Sequence, residues 1–316
     1  MRLFANANYD FVARRRIAYV TAGSLLAVFF VAAIVFQITR GSWLNYGVDF
    51  TGGTLVQARF DQPTSVNDLR EVLSGTEITR FGGENEFLIR APVYEEGTDA
   101  AAPVVSALTE RFGQGAFEVV RTEAVGAKIG GELQQRAALA ILASFLFVLI
   151  YLAFRFEWRF GVAAVIATAY DVLFSLGLIS ALQLEVSLPT VAAVLTVLGY
   201  SLNDKIVVFD RARENLKRTG RRDDFADVLN RSINETLPRT VMTSMTTAAA
   251  LLALFLFGGE IIRGFATIML VGVVVGTFSS IFLASPALLE IERRWPSKAK
   301  KGGSNTSRAA RAGAAV

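Results

Sequence analysis

Six stretches of the chain stay apolar for about twenty residues, enough to cross roughly 30 Å of hydrocarbon as helices. They run Ile17–Ile38, Ala137–Phe154, Phe160–Leu182, Leu188–Phe209, Thr240–Phe257 and Ile261–Leu289, the last of them overlong. The first exceeds a signal-peptide core, and "FQITRGSW" after it offers no small-x-small cleavage site, so it reads as a retained anchor. Residues 41–132, between spans one and two, follow other periods. "GTLVQARF" alternates as a strand, "SVNDLREVL" is an amphipathic helix, and "EITRF" and "EFLIRA" form a hairpin turning at Gly82-Gly83-Glu84-Asn85. "TDAAAPVVSALTERFG" predicts a second helix and "AFEVVRTEAVG" a last strand. The order βαββαβ is the ferredoxin-like split βαβ. The fold class expected is a membrane six-helix bundle carrying one small α+β domain.

Composition agrees. The 316 residues are 53% hydrophobic and 19% charged, against about 25% charged in soluble proteins. There is no cysteine and no histidine. That excludes disulfides, thiolate chemistry and the commonest general base and metal ligand. Proton chemistry would fall to carboxylates, Lys, Tyr or water. No phosphate loop or metal cluster appears, so the chain reads as no enzyme, without cofactor, metal or nucleic-acid partner.

Basic residues in short flanks set orientation. Arg14, Arg15 and Arg16 precede span one; Arg155 and Arg159 separate spans two and three. Arg211, Arg213, Lys217, Arg218, Arg221 and Arg222 follow span four, and Arg293, Arg294, Lys298, Lys300 and Lys301 follow span six. The opposite loops, "QLEVS" and "GGEIIRG", hold one basic residue between them. Both termini are therefore expected inside and the acid-rich domain outside. The divisions expected are 1–40 with span one, 41–132 the outer domain, 133–210 spans two to four, 211–239 a basic inner loop, 240–290 spans five and six, and 291–316 a basic, disordered tail. In the loop, "DDFADVLNRSINETL" reads as a surface helix leading into span five.

Charges within the spans demand a reason, since each costs roughly 2.5–3.5 kcal/mol on insertion scales. Asp171 lies mid-span three, with Thr168 and Ser175 on its face. In span four Thr196, Tyr200 and Asp204 recur by fours, with Asn203 adjacent; in span five so do Arg239, Thr243 and Thr247. These stripes are expected to face one another or water. For the hydroxyls, plain interhelical hydrogen bonding is an equal reading. Similar depth permits an Asp204–Arg239 ion pair that a proton would break. Lys205 points about 100° from Asp204 and is expected to snorkel to the inner surface. Gly272, Gly276, Ser280 and Ala284, again by fours, form a small-residue packing face toward a helix of this chain or of a partner. After span one, Gly52-Gly53 in "NYGVDFTGGTL" suits a turn, with Asp49 nearby.

Four of these segments together carry a family resemblance. "YGVDFTGGT", "RFEWR", "GYSLNDKIVVFDRARENL" and "LPRTVMTSMTT" followed by "LFLFGG" resemble the SecF family, from about Tyr9 to Arg294. These are the smaller membrane subunits of bacterial SecDF protein-export complexes, related to resistance-nodulation-division transporters. The resemblance implies SecD as obligate partner, the SecYEG channel and an unfolded preprotein on the outer side as further partners, the inner membrane as location, and the proton gradient as energy source. It also implies that Asp204 and Arg239 belong to a proton path; Asp171 as a further member rests on depth and its polar stripe alone. A non-transporting scaffold, or less readily an independent small-molecule or lipid exporter, remains an alternative.

Overall fold

The computed structural model describes residues 8–91, 101–219 and 223–296. "YEEGT", the first residues of the "TDAAAP" helix and the basic tail from Ser297 onward lie outside the described residues. Among the described residues, six helices are long and apolar enough to cross a membrane. The first is α1 (Arg15–Arg40), closed by Gly41 at φ +76°, whose N–H meets the Gln37 carbonyl. A two-residue strand β1 (Asn45–Tyr46) and one turn of helix, α2 (Val48–Thr51), lead into the domain.

In the domain, β2 (Gly53–Phe60), α3 (Val66–Val72), β3 (Glu77–Arg80), β4 (Glu86–Ala91), α4 (Ala102–Phe112) and β5 (Phe117–Val125) follow in the βαββαβ order. The sheet is fully antiparallel, ordered β3-β4-β2-β5, so the first strand lies inside and the fold is ferredoxin-like. Ser65 and Asp68 close a capping box on α3. Hydrogen bonds from the Ser65 hydroxyl and backbone N–H hold the Asp68 carboxyl below its ordinary range. Val56, Ala58 and Phe60 of β2 meet Phe87 and Ile89 of β4 beneath Leu69, Val104 and Leu108 of the helices. This core contains no residue of the spans. The opposite face is charged rather than bare: Arg59 reaches Glu86 (3.6 Å) and Glu118 (4.0 Å).

The remaining spans are α5 (Ala127–Arg155), α6 (Trp158–Ala181), α7 (Leu188–Thr219), α8 (Phe225–Phe257) and α9 (Gly259–Ser279) with α10 (Ser285–Arg294), joined by one π turn at Ser280–Ala284. The overlong sixth apolar segment is this composite. Pro286 has no N–H for the Phe282 carbonyl, so the ladder widens there rather than continuing. Helix α7 runs on well past Phe209, and α8 starts at Phe225 and passes through Pro238 without a break. The expected surface helix of the 211–239 region is thus the first half of α8, continuous with span five.

Helices α6, α7 and α9 form the centre of the bundle; α1 and α5 lie outside. Ala22 of α1 is buried, and Phe29 packs edge-on to Phe174 at 5.0 Å, filling the space beside Gly177. A short strand β6 (Glu185–Val186), between α6 and α7, pairs in parallel with β1, Asn45 opposite Glu185 and Tyr46 opposite Val186. Asp49 Oδ2 accepts the Leu188 N–H at 2.9 Å, satisfying an otherwise orphan donor at the start of α7. Gly52 and Gly53 stand at φ +73° and +112°, where side-chain-bearing residues are strained. Gly130 of α5 comes so close that a Cβ would lie 2.8 Å from the Gly52 nitrogen and 3.0 Å from the Phe50 carbonyl oxygen.

Candidate functional site

The polar residues of the spans separate into a buried set and an exposed set. Asp204 on α7 is 2% exposed, Lys205 0% and Asp171 on α6 1%. Lys205 does not snorkel. Its Nζ lies 2.6 Å from Asp171 Oδ2, and the Ser201 hydroxyl bonds to both groups. Two facts of geometry explain the difference. Helix α7 continues fourteen residues beyond Lys205 to Thr219, so at 1.5 Å per residue its end is about 20 Å away. The 100° turn from Asp204 also aims Lys205 at α6, where Asp171 supplies a counter-charge. Ser175 donates to the Asp171 backbone carbonyl at 2.8 Å. Thr168 is fully buried; its Oγ1 and Asp171 Oδ1 have no hydrogen-bond partner.

Asp204 meets a second set one turn away. Thr277 of α9 lies beside it, and Thr277 Oγ1 lies 2.6 Å from Ser244 Oγ of α8. Asp204 Oδ2 has no hydrogen-bond partner, nor has Oγ1 of buried Thr240 on α8. The small-residue face seats both sets. A Cβ on Gly272 would fall 2.3 Å from a methyl of Val197, and one on Gly276 2.8 Å from the Ser201 Cβ. That face therefore packs on α7 of the same chain, with Ser280 and Ala284 buried below it in the π turn.

The exposed set comprises Thr196, Asn203, Arg239 and Thr243. Thr196 and Thr243 turn back onto their own helices, to the Ala192 carbonyl at 2.7 Å and the Thr240 carbonyl at 2.9 Å. Tyr200 and Thr247, half-buried, touch at 3.4 Å. Asp204 and Arg239 form no ion pair: the carboxylate is inside and the guanidinium on the surface, acting on Asp204 only at longer range. Sequence periodicity found Asp204 and Asp171 but not Lys205, Ser201, Ser244, Thr240 and Thr277 as their neighbours. The one available signal was spacing, since Ser201 stands four residues before Lys205.

Known proteins place this arrangement. A family model described as protein export membrane protein SecD/SecF, C-terminal, matches residues 104–294. A second, the SecD/SecF GG motif, matches residues 41–64, the segment of Gly52 and Gly53. The protein translocase subunit SecF of Gemmatimonas aurantiaca is 48% identical over 328 residues, covering 100% of this chain and 96% of its own. The chain belongs to the SecF family. SecF of Escherichia coli O157:H7 is 40% identical over 291 residues, 90% of this chain and 88% of that one. Among solved structures, SecDF from Thermus thermophilus is 38% identical with a TM-score of 0.80, covering 93% of this chain. SecDF in a super-membrane-facing form is 37% identical with a TM-score of 0.66, covering 96%. This SecF-family chain spans 40% of the length of each of those SecDF chains. It is a multi-pass membrane subunit of the protein-translocase class, and Asp204, Lys205, Arg239 and the small-residue face all fall within the shared SecD/SecF region.

Proposed function

We propose that this chain pairs with a SecD-like half in the inner membrane and uses the proton-motive force to promote late steps of preprotein translocation through SecYEG. The carrying observation is Asp204, a buried carboxylate with one oxygen lacking any donor. A proton adds there without breaking a hydrogen bond. The exposed polar face of α7 and α8 supports a partner half. Arg239, Asn203, Thr196 and Thr243 would be costly against lipid and acceptable against protein or water. Both termini are assigned to the cytoplasm by the basic flanks, and the ferredoxin-like domain to the periplasm, where it would meet unfolded preprotein.

The test is Asp204→Asn, made in the full chain together with its SecD partner. The amide keeps size and hydrogen bonding and removes titration. The complex should assemble at normal levels and lose proton-dependent export. Full proton-coupled export by that variant would overturn the proposal in favour of a scaffold.

A further inference from the structure

A cavity of about 200 Å³ lies at the domain end of the bundle, between α5, α6, α7 and the segment that follows α1. Ala138 and Ile141 of α5, Ile179 of α6 and Val194 of α7 wall it, and Trp43, Tyr46 and Phe50 cover one end. That cover is fixed. Ser180 donates to the Trp43 carbonyl at 2.7 Å, Tyr46 pairs with Val186, and Gly130 comes close to the Phe50 backbone. On the helices, the polar residues of the wall are Gln134 and Thr190. The Thr190 hydroxyl is already spent, donating to the Glu185 carbonyl at 2.8 Å. An apolar cavity of about 150 Å³ stays dry and takes apolar ligands; this one is larger and as apolar. From Gln134 to Ile141 its wall follows α5 for about 10 Å.

The surroundings decide the occupant. Gln134 and Ala138 are exposed, so the mouth opens on the flank of α5. The same face continues in exposed Leu142 and Leu146, four and eight residues beyond Ala138. The polar surface that calls for a protein partner is elsewhere, on α7 and α8, whereas this flank of α5 is what hydrocarbon covers without cost. The mouth is therefore continuous with the lipid-facing surface. Exposed Trp43 and Gln134 mark it with the amphipathic groups that sit at headgroup depth. We propose that this cavity binds one acyl chain of a membrane phospholipid from the leaflet beside the sheet domain. The lipid's polar end lies at Gln134 and Trp43, and its chain runs along α5 toward Ile141. Bound there, it fills the space between α5 and α7 and braces the segment that carries Gly52 and Gly53. The site is independent of Asp204.

Tryptophan fluorescence tests the site in the full-length protein. Besides Trp43 the sequence has Trp158 and Trp295, which pack on each other away from the cavity. Trp158→Phe with Trp295→Phe leaves Trp43 as the sole reporter. This protein is placed in vesicles of phosphatidylcholine brominated on one acyl chain, then extracted into dodecyl maltoside and freed of bulk lipid by gel filtration. Trp43 emission should stay quenched after extraction. Ala138→Phe, which fills the cavity from α5, should lose most of that quenching, and Leu139→Phe on the neighbouring exposed face should keep it. If Ala138→Phe does not fold, Val191→Phe fills the cavity from α7 instead. Full recovery of emission with the cavity unsubstituted, or quenching that both filling variants leave intact, would overturn the site. A second measurement uses the assembled complex with the SecD-like half. Gln134→Cys carrying a benzophenone reports what stands at the mouth, because the sequence has no other cysteine. Photo-adducts of phospholipid mass support the proposal; cross-links to the partner half without lipid adducts would assign the cavity to a partner helix and overturn it.

Discussion

At the scale of single residues, the buried Lys205–Asp171 pair is the most exacting contact in the bundle. Removing one partner of a buried pair leaves an uncompensated charge and costs roughly 3–5 kcal/mol, whereas replacing both by neutral groups can be nearly neutral. Lys205→Met alone should therefore sharply reduce the folded protein recovered from membranes. The double variant Lys205→Met with Asp171→Asn should recover most of it, as read by thermal unfolding in detergent. Equal loss in the single and double variants would mean that the pair is not coupled. Lys205 also shows where a one-dimensional reading stops. Its depth, its angle from Asp204 and the charge on span three were all legible. Which helix lay at that angle was not, because helix neighbours follow from tertiary packing. The same limit separated Asp204 from Thr277, which comes 73 residues later on a helix recognised only as a small-residue face.

At the scale of elements, small residues decide the approach of helices and of the turn after β1. Gly130→Ala would drive a methyl into the backbone of Phe50 and Gly52, atoms that cannot rotate aside. Overpacking of this kind costs about 1–3 kcal/mol. Gly131→Ala, one residue on, meets nothing within 4 Å and should be neutral or stabilising by up to about 1 kcal/mol through helix propensity. The melting temperature should fall in Gly130→Ala and hold or rise in Gly131→Ala; a matching fall in both would refute close contact at Gly130.

The inner end has a different device. Asn230 and Asn234 of α8 clasp the N-terminal segment: Asn230 accepts the Val12 N–H at 3.1 Å, and Asn234 bonds to both the N–H and carbonyl of Tyr9 at 2.9 Å. Asp10 accepts from the Ala13 N–H and from Asn230, which holds its carboxyl below the ordinary range. A depressed folded value means the clasp contributes fully above the ordinary carboxylate range and is lost as pH falls through the lowered value. Hydrogen exchange at Ala13 should lose protection in that acid window and be pH-flat in Asp10→Asn. Equal profiles would remove Asp10 from the clasp. Sequence periodicity gave each spanning helix and the strand order of the domain, since burial imposes those periods. The clasp and the β1–β6 pairing were invisible, being short contacts between segments far apart in the chain.

At the scale of the whole molecule, the question is how the sheet domain is held against the bundle. Arg90 of β4 forks between Glu77 of its own sheet (2.9 Å) and Glu185 of β6 (3.0 Å). The pair with Glu185 joins the domain to the loop between α6 and α7. Glu185 also packs directly against Gly47, where a Cβ would be 2.5 Å from its carboxylate oxygen. A partly exposed bridge contributes about 1 kcal/mol or less, too little to fix the domain and enough to shift a two-state balance several-fold. Glu185→Gln should therefore leave the domain folded, because its core is wholly its own, and broaden its position. The chain has no cysteine, so single cysteines at exposed Thr122 of β5 and Leu182 after α6 would carry spin labels uniquely. The distance distribution between them should widen, or gain a second peak, in Glu185→Gln and in Arg90→Gln alike. Unchanged widths in both variants would show that the Gly52–Gly130 approach and the β1–β6 pairing hold the domain without help from the ion pair.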